Sequence, residues 1–410
     1  MAQHLSDHQI DVADRSVEQR VAEWMEPRLP SFVDELRAWA AVDSGSHNVA
    51  GVDRMGDLVA DRLAQLGFTV ERHPTPSFGA AVVARRSGRG AHRVMLLGHL
   101  DTVYPDGTAA LRPMRVEADH VTGPGVSDMK GGILAALHAV EALLALGLEP
   151  FGELVFACTP DEEHPEQECQ PLLLELGRAV DVALTLESGR ANGDIVCERK
   201  AGYVWRLDVH GRSAHAGVEP ENGRSAILQL AHTIVGLHAL ADATRGTTIN
   251  VGLVSGGSAS NAVPDSATAT FEARARTTAE LERVEQGIAE LLATTVVPDV
   301  TFELTQLVRC PPMECTVDVE HLVALARAGA ASLGWTLGAA STGGGSDASF
   351  VAGAGIPVLD GLGPVGGLDH SPDEYLDLSS VAPRTALLAG LIARIDRDGP
   401  RAPRREEVGP

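Results

Sequence analysis

The chain has 410 residues, 44% of them hydrophobic, and a formal charge of -23 from 56 acidic against 33 basic side chains. Its length and apolar content can fill the cores of two ordinary domains, while the negative charge argues against nucleic acid or an anionic membrane as the main partner. The start, MAQHLSDHQIDVADR, has no basic cluster followed by an apolar core, so no secretory signal is expected, and no apolar run is long enough to span a bilayer. Cys158, Cys169, Cys197, Cys310 and Cys315 show no Cys-x-x-Cys spacing, which fits free thiols in a reducing cytoplasm.

In chain order, residues 1–15 read as a mobile arm, followed by a helical pattern from Val17 that is interrupted near Pro27 and Pro30. Ser31 is expected to cap the helix FVDELRAWAAV, and an amphipathic helix near Val52 to Leu66 stops at Gly67. FTVERH and AAVVARR read as strands. Val94 to Leu97 is a short apolar run of the kind buried on both faces, ending at Gly98 and delivering His99 and Asp101. GPGVSDMKGG then runs into the helix ILAALHAVEALLALG, the strand ELVFACTP, a short helix and the strand VALTLES. Strands alternating with helices indicate an α/β layer.

From Ala201 the order becomes β-α-β-β-α-β, a complete ferredoxin-like unit, so residues 201–311 read as an inserted domain ending at Cys310-Pro-Pro312. The α/β pattern resumes with a helix after Asp318, a turn at Gly343 to Gly345, the strand IPVLDGLG and a last helix from about Ser380 to Ile395. The expected catalytic domain therefore comprises 16–200 and 312–397, and 398–410 read as a disordered tail.

Acidic and imidazole groups recur just beyond the predicted strands, where ligands to open α/β sheets collect. In an extended segment, residues two apart share a side, so Asp101 can accept a hydrogen bond from one ring nitrogen of His99 while the other binds metal. Each segment alone has an ordinary reading: Asp128 as a helix cap, Glu162 and Glu163 as a solvated acidic loop, Glu187 and His370 as surface residues.

The segments LLGHLDTVYP, GPGVSDMKGG, TPDEE, LTLES, GRSAHAG, STGGGSDASF and GLDHSPDEYLDL resemble, in order and separation, the di-zinc aminoacylase and carboxypeptidase family that includes acetylornithine and succinyl-diaminopimelate deacylases. The last third is most similar to the glutamate carboxypeptidase branch. The resemblance implies a zinc-peptidase-like α/β catalytic domain, a mixed sheet flanked by helices, with the inserted domain as a lid through which two subunits dimerise. It implies two Zn2+ per subunit, with Co2+ or Mn2+ as substitutes: His99 and Glu187 on one, Glu163 and His370 on the other, Asp128 bridging. Asp101 would orient His99, Glu162 would be the general base toward a metal-held hydroxide, and the Asp128-Met129 peptide would be cis. His215 would stabilise the oxyanion in the partner's site, and Asn261, Arg274 and, more weakly, Arg309 would meet the substrate carboxylate; Gly344, in the turn Gly343 to Gly345, would let backbone approach the substrate closely or simply form a tight turn.

The expected enzyme is a cytoplasmic amidohydrolase that cleaves an N-acyl amino acid or a C-terminal peptide-like amide with a free carboxylate. Two other readings remain at this stage: a deacylase for one biosynthetic conjugate, and an inactive scaffold relative. The basic residue expected to read a glutamate side chain has no secure counterpart; Lys200 belongs to the start of the lid.

Overall fold

The computed structural model describes residues 15–401. Contacts divide the chain into two units: residues up to Cys197 with Cys315–Ala340 and Val351 onward, and Glu198–Glu314 with Ser341–Phe350. The expected arm and tail fall mostly outside the described residues.

The first unit is built on a six-stranded mixed sheet. Its strand order is Thr69–Pro74, Ala80–Ser87, Glu153–Thr159, Arg93–His99, Val182–Thr185 and Val358–Leu359. The first two strands run antiparallel, and the last four are mutually parallel. Val94 to Leu97 are fully buried at the sheet centre, as their unbroken apolar run requires. Helix Lys130–Ala145 packs on this central strand and against helix Val381–Asp398. It is apolar nearly all round because it is covered on nearly every side. Against the expectation that no run is long enough to span a bilayer, helix Val381–Asp398 and the 3-10 turn before it are so by length and composition, but 72% of that window is buried inside the protein.

Two local expectations are corrected. Helix Leu29–Ala40 starts two residues before Ser31, because Pro30 fits a first turn that needs no N–H from it. Ser31 instead donates its hydroxyl to the Arg28 carbonyl, 2.7 Å away. The last helix continues past Ile395 to Asp398, and Arg401 pairs with Asp318, so the expected tail begins in structure.

The second unit has a four-stranded antiparallel sheet in the order Thr248–Gly256, Ser266–Ala275, Ala201–His210 and Thr301–Cys310, with helices Ala226–Ala239 and Thr278–Leu292. This is the ferredoxin-like arrangement. Burial alternates along Ala201–His210, turning Tyr203, Trp205, Leu207 and Val209 inward against Leu230, Leu237, Leu281, Val284 and Ile288 of the helices.

Candidate metal centre

The parallel strands of the first unit end together. His99 closes its strand opposite Thr159, Glu162 and Glu163 follow Thr159, and Glu187 follows Thr185. Backbone bonds fix these exits: Leu100 N to Thr159 O at 2.7 Å, Leu186 N to Leu97 O at 2.9 Å and Gly363 N to Glu187 O at 2.9 Å. Asp128 arrives from the side, one turn before helix Lys130–Ala145. A Cβ on Gly132 would lie 2.0 Å from the Leu186 carbonyl oxygen, so glycine is what lets this helix reach the Glu187 strand end. The Asp128-Met129 peptide is cis. His370 sits at φ 62°, in the left-handed region.

The two carboxylate oxygens of Asp128 face different imidazoles. Oδ1 is 2.9 Å from His99 Nε2, and Oδ2 is 3.2 Å from His370 Nε2. Glu163 Oε2 lies 3.1 Å from the same His370 nitrogen, and Glu187 Oε1 lies 3.8 Å from His99 Nε2. Asp101 stands behind His99, with its carboxylate 3.3 Å and its carbonyl 3.1 Å from Nδ1. That carboxylate also accepts Ser46 Oγ at 2.7 Å and the Glu162 and Glu163 backbone N–H groups at 3.2 and 3.1 Å. One buried aspartate thus ties the His99 ring to the loop bearing both glutamates.

The charges press on each other. Burial pulls the His99 pKa down, but its hydrogen bonds to Asp101 and Asp128 outweigh burial and hold it well above the usual value. Hydrogen bonds to Asp128 and Glu163 push His370 up to about 11. Burial would raise Asp128, yet the two histidines hold its carboxyl well below the usual range; for Glu163 burial wins and the pKa rises. Ligand atoms of His99, Asp128 and Glu163 lie within 4.8 Å of one another, and Glu163 Oε1 is buried without a hydrogen-bond partner. An orphaned buried oxygen in a cluster of nitrogen and carboxylate donors is suited to a divalent cation such as zinc, cobalt or manganese. These residues could hold one.

A further residue had no sequence signal. Glu374, 1% exposed, accepts Ser127 N and Asp128 N on Oε1 at 2.8 and 3.0 Å, and Gly125 N and Tyr104 OH on Oε2 at 3.0 and 2.7 Å. Burial pushes it up to about 7 against the pull of those donors. It is the internal support of the turn that presents Asp128.

The remaining expected site residues belong to the second unit. Exposed His215 and Asn261 lie on neighbouring loops joined by a His215–Ala262 bridge and an Ala216 N to Asn261 O bond of 2.9 Å. Arg274 is paired with Glu272 at 3.1 Å and donates to the Gly343 carbonyl at 2.8 Å. Arg199, not singled out in the sequence, donates to the Gly344 and Gly345 carbonyls at 3.1 and 3.3 Å. A Cβ on Gly343 or Gly344 would meet open space, so packing does not explain the glycine there. Arg309 donates Nε to Tyr203 OH at 3.2 Å and lies over the tyrosine ring.

Residues 95–394 match the family described as peptidase family M20/M25/M40. The chain belongs to that family. Among M20 relatives it is 28% identical over 368 residues to carboxypeptidase G2 of Pseudomonas sp. (strain RS-16), covering 88% of this chain and 89% of the relative. It is 30% identical over 360 residues to a succinyl-diaminopimelate desuccinylase of Methylobacterium radiotolerans, covering 81% and 89%. The aminopeptidase PepT of Bacillus cereus shares the fold at a TM-score of 0.73 and 23% identity, over 90% of this chain and 98% of that one. An M20 metallo-carboxypeptidase of Sulfolobus solfataricus does so at 0.66 and 16%, over 89% and 99%. The M20 assignment makes this chain a hydrolase of a metallopeptidase family.

Proposed function

We propose that this M20 chain hydrolyses the amide of an N-acyl amino acid or C-terminal peptide-like substrate, in the manner of a glutamate carboxypeptidase. The observation that carries this reading is the Asp128 carboxylate, with each oxygen turned to a different histidine. His99 and Glu187 would hold one zinc, His370 and Glu163 the other, and Asp128 both. When bound, the two ions supply Lewis acidity that makes a water nucleophilic at neutral pH.

Glu162 takes the proton of that water as its oxygen forms a bond to the amide carbon. It returns the proton to the leaving nitrogen as the carbon–nitrogen bond breaks. Asp101 keeps the His99 ring oriented through Nδ1. His215 is proposed to donate to the developing oxyanion from the partner subunit, with Asn261 beside it on the adjoining loop. Asn261, Arg274 and, more weakly, Arg309 are assigned to the substrate carboxylate, which at Arg274 would compete with Glu272, and Gly344 is assigned to close backbone approach to the substrate.

Dimerisation through the second unit is part of the same proposal. Its edge strand Thr248–Gly256 exposes Leu253 and Val254, and its helix Ala226–Ala239 exposes Leu228 and Val235, surfaces that a second copy would cover. A cytoplasmic location is likewise proposed, supported by the five free cysteines.

The test is a panel of N-acylated glutamate, other N-acyl amino acids and dipeptides under equal metal loading, with Glu162→Ala beside it. That variant is expected to keep its metal and lose about 10²- to 10⁴-fold in turnover. Retained full activity removes Glu162 as the base. An absence of bound metal together with no hydrolysis after metal addition removes the enzyme reading.

A further inference from the structure

The two imidazoles of the metal cluster are supported in different ways. His99 is 1% exposed at the end of a central strand, with the Asp101 carboxylate behind its ring. The side chain of His370 is 55% exposed, so core packing does not hold it. Its backbone lies in the left-handed region at φ 62°, and so does that of exposed Leu368 two residues earlier, at φ 56°. Residues other than glycine reach that region rarely and at an energetic cost. Two of them within three positions mean that contacts from outside the loop keep its shape.

Those contacts converge on Ser371. Its N–H and hydroxyl close the loop on the Leu368 carbonyl at 3.2 and 2.6 Å, and its hydroxyl accepts Asp373 N at 3.2 Å. The Ser371 carbonyl oxygen accepts Tyr104 OH at 2.8 Å and Arg112 Nη1 at 3.3 Å, from positions 267 and 259 residues away in the chain. The Arg112 guanidinium also lies over the Tyr104 ring, 4.7 Å from its centroid, so each side chain braces the other. Tyr104 has a second duty, because its hydroxyl meets Glu374 Oε2 at 2.7 Å. Arg112 has none: among the described residues its hydrogen bond is to Ser371 alone.

We propose that Arg112, together with Tyr104, is a positioning residue that holds the His370 loop and, through it, the metal position that His370 shares with Glu163. The inference rests on the two-metal reading above and names residues that build one of its two positions. A cation stacked on a buried ring and bonded to the carbonyl next to His370 places that imidazole before a metal arrives, so the ion does not have to order the loop. The position assigned to His99 and Glu187 stands on the ends of central strands instead. Loss of Arg112 therefore weakens one metal position and spares the other.

The test is equilibrium dialysis of the full chain against buffered free zinc, with zinc counted per subunit, for wild type, Arg112→Leu, Arg112→Lys and Tyr104→Phe. Arg112 is only partly buried and belongs to neither apolar core, so its replacement leaves the packing intact. His370→Ala identifies the binding step that depends on His370. In Arg112→Leu that step is expected to need about tenfold to a hundredfold more free zinc, with the other step unmoved. Arg112→Lys keeps a cation and one donor and should shift the step less. Both steps unchanged, or both shifted alike, overturns the assignment.

Hydrogen exchange of residues 368–374 in the metal-free proteins reads the loop without any metal. Exchange there is expected to be faster in Arg112→Leu and Tyr104→Phe than in wild type, and equal exchange in all of them overturns the support. If wild type itself takes up fewer than two zinc ions, the two-metal reading has failed, and the exchange result alone decides whether Arg112 and Tyr104 hold the loop.

Discussion

Replacing Glu374 by glutamine tests whether the turn carrying Asp128 is held from inside. The carboxylate serves four donors: Ser127 N and Asp128 N on one oxygen, Gly125 N and Tyr104 OH on the other. Glutamine keeps one acceptor oxygen. If that oxygen stays on Ser127 and Asp128, its NH2 group faces Gly125 and Tyr104. The tyrosine hydroxyl can rotate and accept, but the Gly125 N–H cannot, so one buried backbone donor loses its acceptor. That omission costs about 1 to 3 kcal/mol, and weakening of the charge-assisted bonds brings the expected loss to about 2 to 4 kcal/mol. Glu374→Leu, which removes every acceptor, should cost more than Glu374→Gln. Urea denaturation of the metal-loaded protein measures the loss, and competition with a chromophoric chelator measures metal affinity. Since Asp128 N is among the donors, affinity should fall about tenfold or more. A glutamine variant within 0.5 kcal/mol of wild type (about the scatter of a neutral surface substitution) and with unchanged metal affinity would refute the account.

Three other outcomes are expected. Gly132→Ala places a methyl 2.0 Å from the Leu186 carbonyl and should destabilise the protein by about 3 kcal/mol with weaker metal binding; an unchanged melting curve contradicts the close-approach argument. Burial lowers the His138 pKa from 6.5 to about 4, so as pH falls through that window the unfolded chain takes up a proton that the folded chain excludes. The resulting stability loss is about 2 kcal/mol at pH 5, and His138→Leu should abolish it, whereas parallel pH profiles of urea midpoints would exclude it. Removing metal with a chelator should lower stability by about 3 to 4 kcal/mol relative to protein at a hundred to a thousand times the metal Kd, reversibly on adding zinc; coincident unfolding curves would count against a bound metal.

The parts of the fold that the sequence made legible are those with a local physical signature. Val94 to Leu97 announce a central strand by being apolar without interruption, and the alternation in YVWRLDVHG announces a sheet with one covered face. His99 and Asp101 are legible as a pair because the backbone after a strand keeps residues two apart on one side. Glu374 was illegible for the opposite reason. It lies in the acidic stretch HSPDEYLDL, and nothing local distinguishes a carboxylate that will be enclosed by backbone N–H groups from one left in water. Arg199 escaped notice similarly, because its partners are carbonyls near residue 345 that only the tertiary structure brings close. The Ser31 boundary failed through weighing a capping residue over the tolerance of a first helical turn for proline.

The hydrogen bond between Asp128 and His370 spans 242 positions of sequence, including the whole second unit. During synthesis, Asp128, Glu163 and Glu187 emerge long before the imidazole that joins Asp128 and Glu163. Until then His99 is the one imidazole of the cluster available to those carboxylates. The second unit draws its four-stranded sheet from Ala201–Cys310 and has its own apolar core, so it can collapse while the first unit is still waiting for its last strand. Completing the cluster is therefore a late event, available only to a chain translated through His370. A prematurely terminated chain could fold its insert yet lack the site.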